Sequence, residues 1–140
     1  MTEKYFVDTN VLVYAHDRRA GFKHERARQL VERLWDSGQG VLSTQVLQEL
    51  CINLRGKVNP PLPVDVIRGL IQDYMSWQIV VNTPTSVIQA LDIEVRYETS
   101  FWDALILQAA ESSGAAVVYS EDLRAGQKSG LVQVINPLMA

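Results

Sequence analysis

The sequence predicts an α/β fold with a mainly parallel sheet covered by helices on both faces. Three observations carry that expectation. Five short apolar runs are spread along the chain, the right length for strands. Between them, apolar residues recur at i, i+3, i+4 and i+7, the period of helices packed on one side. The chain has 140 residues, 47% of them hydrophobic, enough to bury one real core. Alternating strands and helices give a parallel sheet because each crossover helix must bury its own apolar face.

The elements follow in order. Tyr5-Phe6-Val7 reads as a buried strand, and Asp8-Thr9-Asn10 turns it into a first helix. Ala27, Leu30, Val31 and Leu34 mark a second helix, with Gly38 as its stop. Gly40–Ser43 is a short strand. Thr44–Leu54 is a helix striped by Val46, Leu47, Leu50 and Leu54. The segment from Arg55 to Pro63 is a loop, because apolar periodicity resumes on both sides. Pro63 sits in the first turn of a helix carrying Ile67, Leu70, Ile71 and Tyr74. Trp77–Val81 is a strand. Val87, Ile88, Leu91 and Val95 mark a further helix, with Ser86 as its candidate cap. Ser100–Ser113 is an alanine- and leucine-rich helix stopped at Gly114, and Ala115–Tyr119 and Leu131–Ile135 are the last strands.

No linker or repeat divides the chain, so residues 1–140 are expected to form one domain. The formal charge of −3 gives none of the basic excess that sequence-independent phosphate binding uses. No apolar run reaches a membrane span, and the start does not resemble a signal peptide. A single cysteine, Cys51, excludes an internal disulfide and fits a reducing cytoplasm. His16 and His24 with one cysteine cannot form a zinc finger.

Four acids occupy informative places. Asp8 and Asp122 follow the first and fourth strands, at the strand ends where open α/β sheets hold ligands. Capping and turn chemistry would also explain each alone. Asp103 shares a helix face with Ile106, Leu107 and Ala110, where an unpaired carboxylate is costly. Ser100-Phe101-Trp102-Asp103 also has capping-box spacing, and the two roles are compatible. Glu49 borders an apolar stripe beside Val46 and Asn53, where a solvated edge is the plain alternative. If the four converge, like-charge pairs at about 4 Å cost on the order of 4 kcal/mol each, and a cation is required. All-oxygen ligation suits Mg2+ or Mn2+, not zinc, and such ions commonly act on phosphates.

These residues together resemble the PIN domain family, and within it the VapC-like ribonuclease toxins of toxin–antitoxin modules. The resemblance rests on Asp8-Thr9-Asn10, Glu49, the Ser100–Ile106 segment with Asp103, and Ser120-Glu121-Asp122, and it spans essentially the whole chain. It implies a three-layer α/β/α sandwich with a five-stranded parallel sheet. It implies an acidic pocket of Asp8, Glu49, Asp103 and Asp122 holding Mg2+ or Mn2+, for hydrolysis of RNA to a 5′-phosphate and a 3′-hydroxyl. Asn10 and Ser120 match supporting positions; Ser120 stands where many relatives have threonine, and the hydroxyl is kept. Glu121 is a fifth acid, read as an outward-facing neighbour or an additional outer ligand. The family implies a homodimer and a cognate antitoxin protein that covers the pocket.

Arg18, Arg19, Lys23, Arg26 and Arg28 form the densest basic segment, with Arg55–Lys57 and Arg124–Lys128 as smaller groups. They are candidates for RNA phosphates or for a solvated helix face. Trp35, Trp77 and Trp102 are expected in the core more than on bases, and Cys51 as a small buried hydrophobe. Two other functions compete. A non-catalytic PIN-fold binding module would keep the pocket and cleave nothing. A receiver-like signalling domain needs an aspartate after the third strand, where Asn82-Thr83-Pro84 stands instead. No Gly-x-Gly-x-x-Gly follows a strand, which leaves a dinucleotide enzyme without support.

Overall fold

A computed structural model describes residues 3–123, 128–130 and 132–139. The order is β1 (Tyr5–Val7), α1 (Thr9–Ala15), a 3-10 turn (Arg18–Ala20), α2 (Phe22–Ser37), β2 (Gly40–Ser43), α3 (Thr44–Gly56) and α4 (Val64–Tyr74). There follow β3 (Gln78–Val80), α5 (Pro84–Tyr97), α6 (Phe101–Ser113), β4 (Val117–Tyr119), β5 (Lys128–Ser129) and β6 (Val132–Ile135). The sheet order is β3-β2-β1-β4-β6-β5, parallel throughout except β5, which adds a two-residue antiparallel edge. The five expected strands are therefore the five parallel ones, and helices cover both faces in the α/β/α arrangement. Leu131, the expected start of the last strand, lies outside the described residues.

Phe6 and Val7 in β1, Val41 and Leu42 in β2 and Val118 in β4 are fully buried, as strands covered on both faces must be. α6 crosses β2, β3, β4 and β6, α1 packs on α2 and α3, and α5 packs chiefly on α6. Two caps differ from expectation. Pro63 is the N-cap of α4, not a first-turn residue, and its fixed φ leaves Val64 to begin the helix. Thr83, not Ser86, caps α5; Ser86 is the third helical residue and returns the bond to Thr83 N–H, closing a capping box.

α5 forms where the apolar spacing marks a helix, but that stripe faces outward. Val87, Ile88, Leu91 and Val95 are exposed, and the helix buries Ser86, Ala90 and Ile93 instead. α5 packs chiefly on one helix, α6, so a narrow face suffices and the broader apolar face stays outside. Among the described residues, no helix is long and apolar enough to cross a membrane.

Candidate active site

The sheet order reverses at β1: the chain builds β2 and β3 on one side of it, then crosses to β4 on the other. The carboxyl ends of β1 and β4 thus lie side by side at a switch point, where connecting segments diverge and a crevice opens. Asp8 ends β1 and caps α1, its Oδ1 accepting the Thr9 N–H at 2.7 Å. Its backbone N–H is held by Tyr119 O at 2.9 Å, so the β1–β4 ladder sets its position. Ser120 ends β4 and donates its hydroxyl to Asp8 Oδ2 at 2.8 Å. The same Oγ accepts the N–H groups of Asp122, at 3.2 Å, and Leu123, at 3.1 Å.

Asn10 joins the two strand ends. Its Nδ2 donates to Asp8 Oδ2 at 3.2 Å and to Asp122 Oδ2 at 3.0 Å, and its Oδ1 accepts the Glu121 N–H at 3.0 Å. Glu49 reaches the same place from α3 and accepts the Thr9 hydroxyl at 2.7 Å. Asp103 comes from the first turn of α6, whose N-cap Ser100 accepts the Asp103 N–H at 3.2 Å. All four acids and Asn10 line one cleft of about 730 Å3.

Electrostatics mark Asp8 as the strained member. It is 6% exposed. Burial pushes its carboxyl up to about 6, against the Ser120 and Thr9 hydrogen bonds, and the charges of Glu49 and Asp122 push the same way. Burial also raises Asp103, opposed by Ser100 and reinforced by the charge of Asp122.

The PIN domain family matches residues 5–130. The chain belongs to the PIN domain family. Comparison with curated protein sequences finds no match. Among solved structures, the chain is similar to VapC20 of Mycobacterium tuberculosis, described as a sarcin–ricin loop cleaving toxin. The TM-score is 0.67 at 23% identity, over 85% of this chain and 90% of that one. It is also similar to the DNA-bound VapBC complex of Salmonella typhimurium, with TM-score 0.64 at 19% identity over 95% and 97%. VapBC2 of Rickettsia felis, bound to a promoter DNA fragment, gives 0.64 at 16% over 93% and 96%. These likenesses are of fold.

The donors of this PIN domain fit a hard divalent cation. The described lining of the cleft offers carboxylate, amide and hydroxyl groups and neither histidine nor cysteine. Asp8, buried and facing the charges of Glu49 and Asp122, gains most from a cation. Among the described residues, no three acids are gathered closely enough to cage an ion.

Glu121 lines the same cleft, but its carboxylate is already paired. Lys23 Nζ lies 2.6 Å from its carboxylate, and the Tyr14 hydroxyl donates to it at 2.8 Å. Burial raises its carboxyl, but Lys23 and Tyr14 outweigh that and hold it below the ordinary value. The basic segment divides. Arg28 is committed to Glu25 and Glu32 on the outer face of α2, and Lys23 to Glu121. Arg18 and Arg19 are exposed in the 3-10 turn. Lys57 lines the cleft. Arg124 lies outside the described residues, as does the side chain of Lys128.

Sequence reasoning did not single out Thr9, Tyr14 or Gln45, which line the cleft beside Lys57, the expected candidate for a phosphate contact. Two had a readable signal. Tyr14 follows Asn10, and Glu49 follows Gln45, by one helical turn, so each pair shares a face. The tryptophans also divide. Trp77 is buried and packs with Trp35 and Tyr74, centroids 5.0–5.5 Å apart. Trp102, expected in the core, is instead 62% exposed on the cleft wall. It sits in the first turn of α6 beside Asp103, where the helix meets the pocket instead of the sheet. Cys51 is half-buried, packed against the edge of the core in a groove between α3 and α4.

Proposed function

We propose that this PIN domain, spanning residues 1–140, is a divalent-metal-dependent endoribonuclease and the toxin of a toxin–antitoxin pair. The observation that carries the reading is the meeting of Asp8, Glu49, Asp103 and Asp122 on one cleft at the switch point, with Asp8 buried and raised. Asp8, Glu49, Asp103 and Asp122 would hold Mg2+ or Mn2+, which when bound lowers the pKa of water and neutralises phosphate charge. The chain's own work is positional. Asn10 spans Asp8 and Asp122 and fixes their separation. Ser120 and the Thr9 N–H hold Asp8 in one orientation, and the Thr9 hydroxyl orients Glu49. Lys23 neutralises Glu121, so the fifth acid adds little repulsion to an incoming phosphate. Lys57 offers a phosphate contact at the rim. The products are a 5′-phosphate and a 3′-hydroxyl.

Antitoxin partnership is supported by the solved neighbours that are VapBC complexes. A homodimer fits the exposed apolar face of α5. The receiver alternative falls with membership of the PIN family. Purified protein, free of partner, is to be mixed with structured cellular RNAs in Mg2+, Mn2+ or chelator. Cleavage is expected with metal only, and Asp103→Asn lowers it by more than about a hundredfold with the fold intact. Folded wild-type protein that binds RNA yet cuts none in either metal would instead support the binding-module reading.

A further inference from the structure

Trp102 is the one large aromatic side chain on the described cleft wall that the fold does not use. Its ring is 62% exposed, although tryptophan is among the side chains that gain most from burial. Its backbone is nonetheless held. The Nε2 of Gln45, itself buried, donates to Trp102 O at 3.2 Å. Phe101 meets the indole edge-on, centroids 5.2 Å apart. The next residue is Asp103, so the ring stands one residue from the acid set. Ile52, 65% exposed on α3, lines the same cleft. The pocket thus combines an oxygen-lined floor with exposed apolar groups and a lysine, Lys57.

A phosphate bound at the acids has a nucleoside on each side. An exposed indole beside that phosphate presents a flat π-face to one of the two bases, and any base has a face to match. We infer that Trp102 is a substrate-positioning residue that stacks the unpaired base next to the scissile phosphate. The inference rests on the ribonuclease reading and deepens it. Stacking requires the base to leave its own helix, so the nucleotide at the cut must be unpaired when bound. Stacking contributes to binding before the reaction begins, so loss of the ring acts on KM more than on kcat.

The test uses the full chain in Mg2+, with Asp103→Asn to arrest hydrolysis. The probes are single-stranded octaadenylate RNA and an octamer of the same ribose-phosphate backbone without bases. Octaadenylate is expected to quench tryptophan fluorescence and to bind roughly tenfold or more tightly than the abasic octamer. Adding Trp102→Ala removes the quench and the preference together, and Trp102→Phe keeps most of the preference. Trp102→Ala has little to lose in the core, so its melting temperature stays near that of the parent.

A preference for bases that survives Trp102→Ala overturns the inference, as does equal binding of the two octamers by the parent. Trp102→Ala that spares RNA binding but weakens a protein partner assigns the ring to a protein interface, and also overturns it. Cleavage of the cellular RNA pool by the wild type separates the two levels. If cleavage persists, only the stacking role has failed; if it is absent with no RNA bound, both have.

Discussion

Ser120 governs the site through one hydroxyl. Fully buried, it donates to Asp8 and accepts two backbone N–H groups, from Asp122 and Leu123. Ser120→Ala leaves those donors and a buried carboxylate short of a partner, at a cost of about 1–3 kcal/mol in urea unfolding. Ser120→Thr keeps the hydroxyl and is expected to be milder. The bond from Ser120 is also the largest influence opposing the burial of Asp8. Ser120→Ala therefore raises that carboxyl further, and the acid limb of the pH–activity profile moves to higher pH. An unmoved limb would mean that the hydroxyl serves folding alone. At this scale the sequence was partly legible. Asp8 and Asp122 stood out because strand ends are readable from hydrophobic runs, and Asp103 because an acid on an apolar helix face is anomalous. The pairings Thr9–Glu49 and Lys23–Glu121 were not legible. Each joins residues far apart in the chain, and a single sequence carries no distances.

Elements show where pattern and packing part. The stripe of Val87, Ile88, Leu91 and Val95 has sound helical spacing, and the helix forms, but the stripe faces outward. Periodicity specifies that a helix has an apolar side; it does not say which neighbour that side meets. The same helix ends on Glu98 at φ 52°, in the left-handed region where a Cβ is strained. Glu98→Gly removes that strain and is expected to raise stability by up to about 1 kcal/mol, read as a higher melting temperature. A fall would show that the glutamate makes a compensating contact. Gly40 at the start of β2 illustrates the reverse. A Cβ there would lie 2.4 Å from the ring of Trp77, which is wedged against Trp35 and Tyr74. Gly40→Ala is expected to destabilise by about 1–3 kcal/mol through overpacking, measured by urea unfolding. Its short strand was readable from the sequence, but the reason for glycine at its head was not.

For the whole molecule, topology does what no local motif can. Four elements, β1 with α1, α3, α6 and the segment after β4, each bring one acid to the cleft, and only the strand order puts them there together. The five parallel strands were legible because apolar runs alternated with helical periods; the antiparallel β5, two residues long, offered no such signal. A cation bound at that meeting point, as proposed, would stabilise the folded state by about 2.7 kcal/mol at a hundred times Kd. The sign of its pH dependence follows from Asp8. Without a metal, burial holds the folded carboxyl up to about 6, above the ordinary 3.8 of an exposed aspartate. The folded state therefore holds the proton more tightly than the unfolded chain. The resulting stabilisation is full below 3.8 and is lost as pH rises through about 6. Two units correspond to about 3 kcal/mol. Chelated protein is thus penalised near neutral pH, where Asp8 must ionise in a buried site. Mg2+ or Mn2+ held by Asp8, as proposed, would favour that ionised form and reverse the penalty. The melting temperature gained from metal is expected to be large near neutral pH and to shrink as pH falls through about 6, because protons then compete for Asp8. Thermal melts across that range, with chelator and with each metal, measure it. A metal increment that stays constant through the titration of Asp8 would place the cation away from this carboxylate.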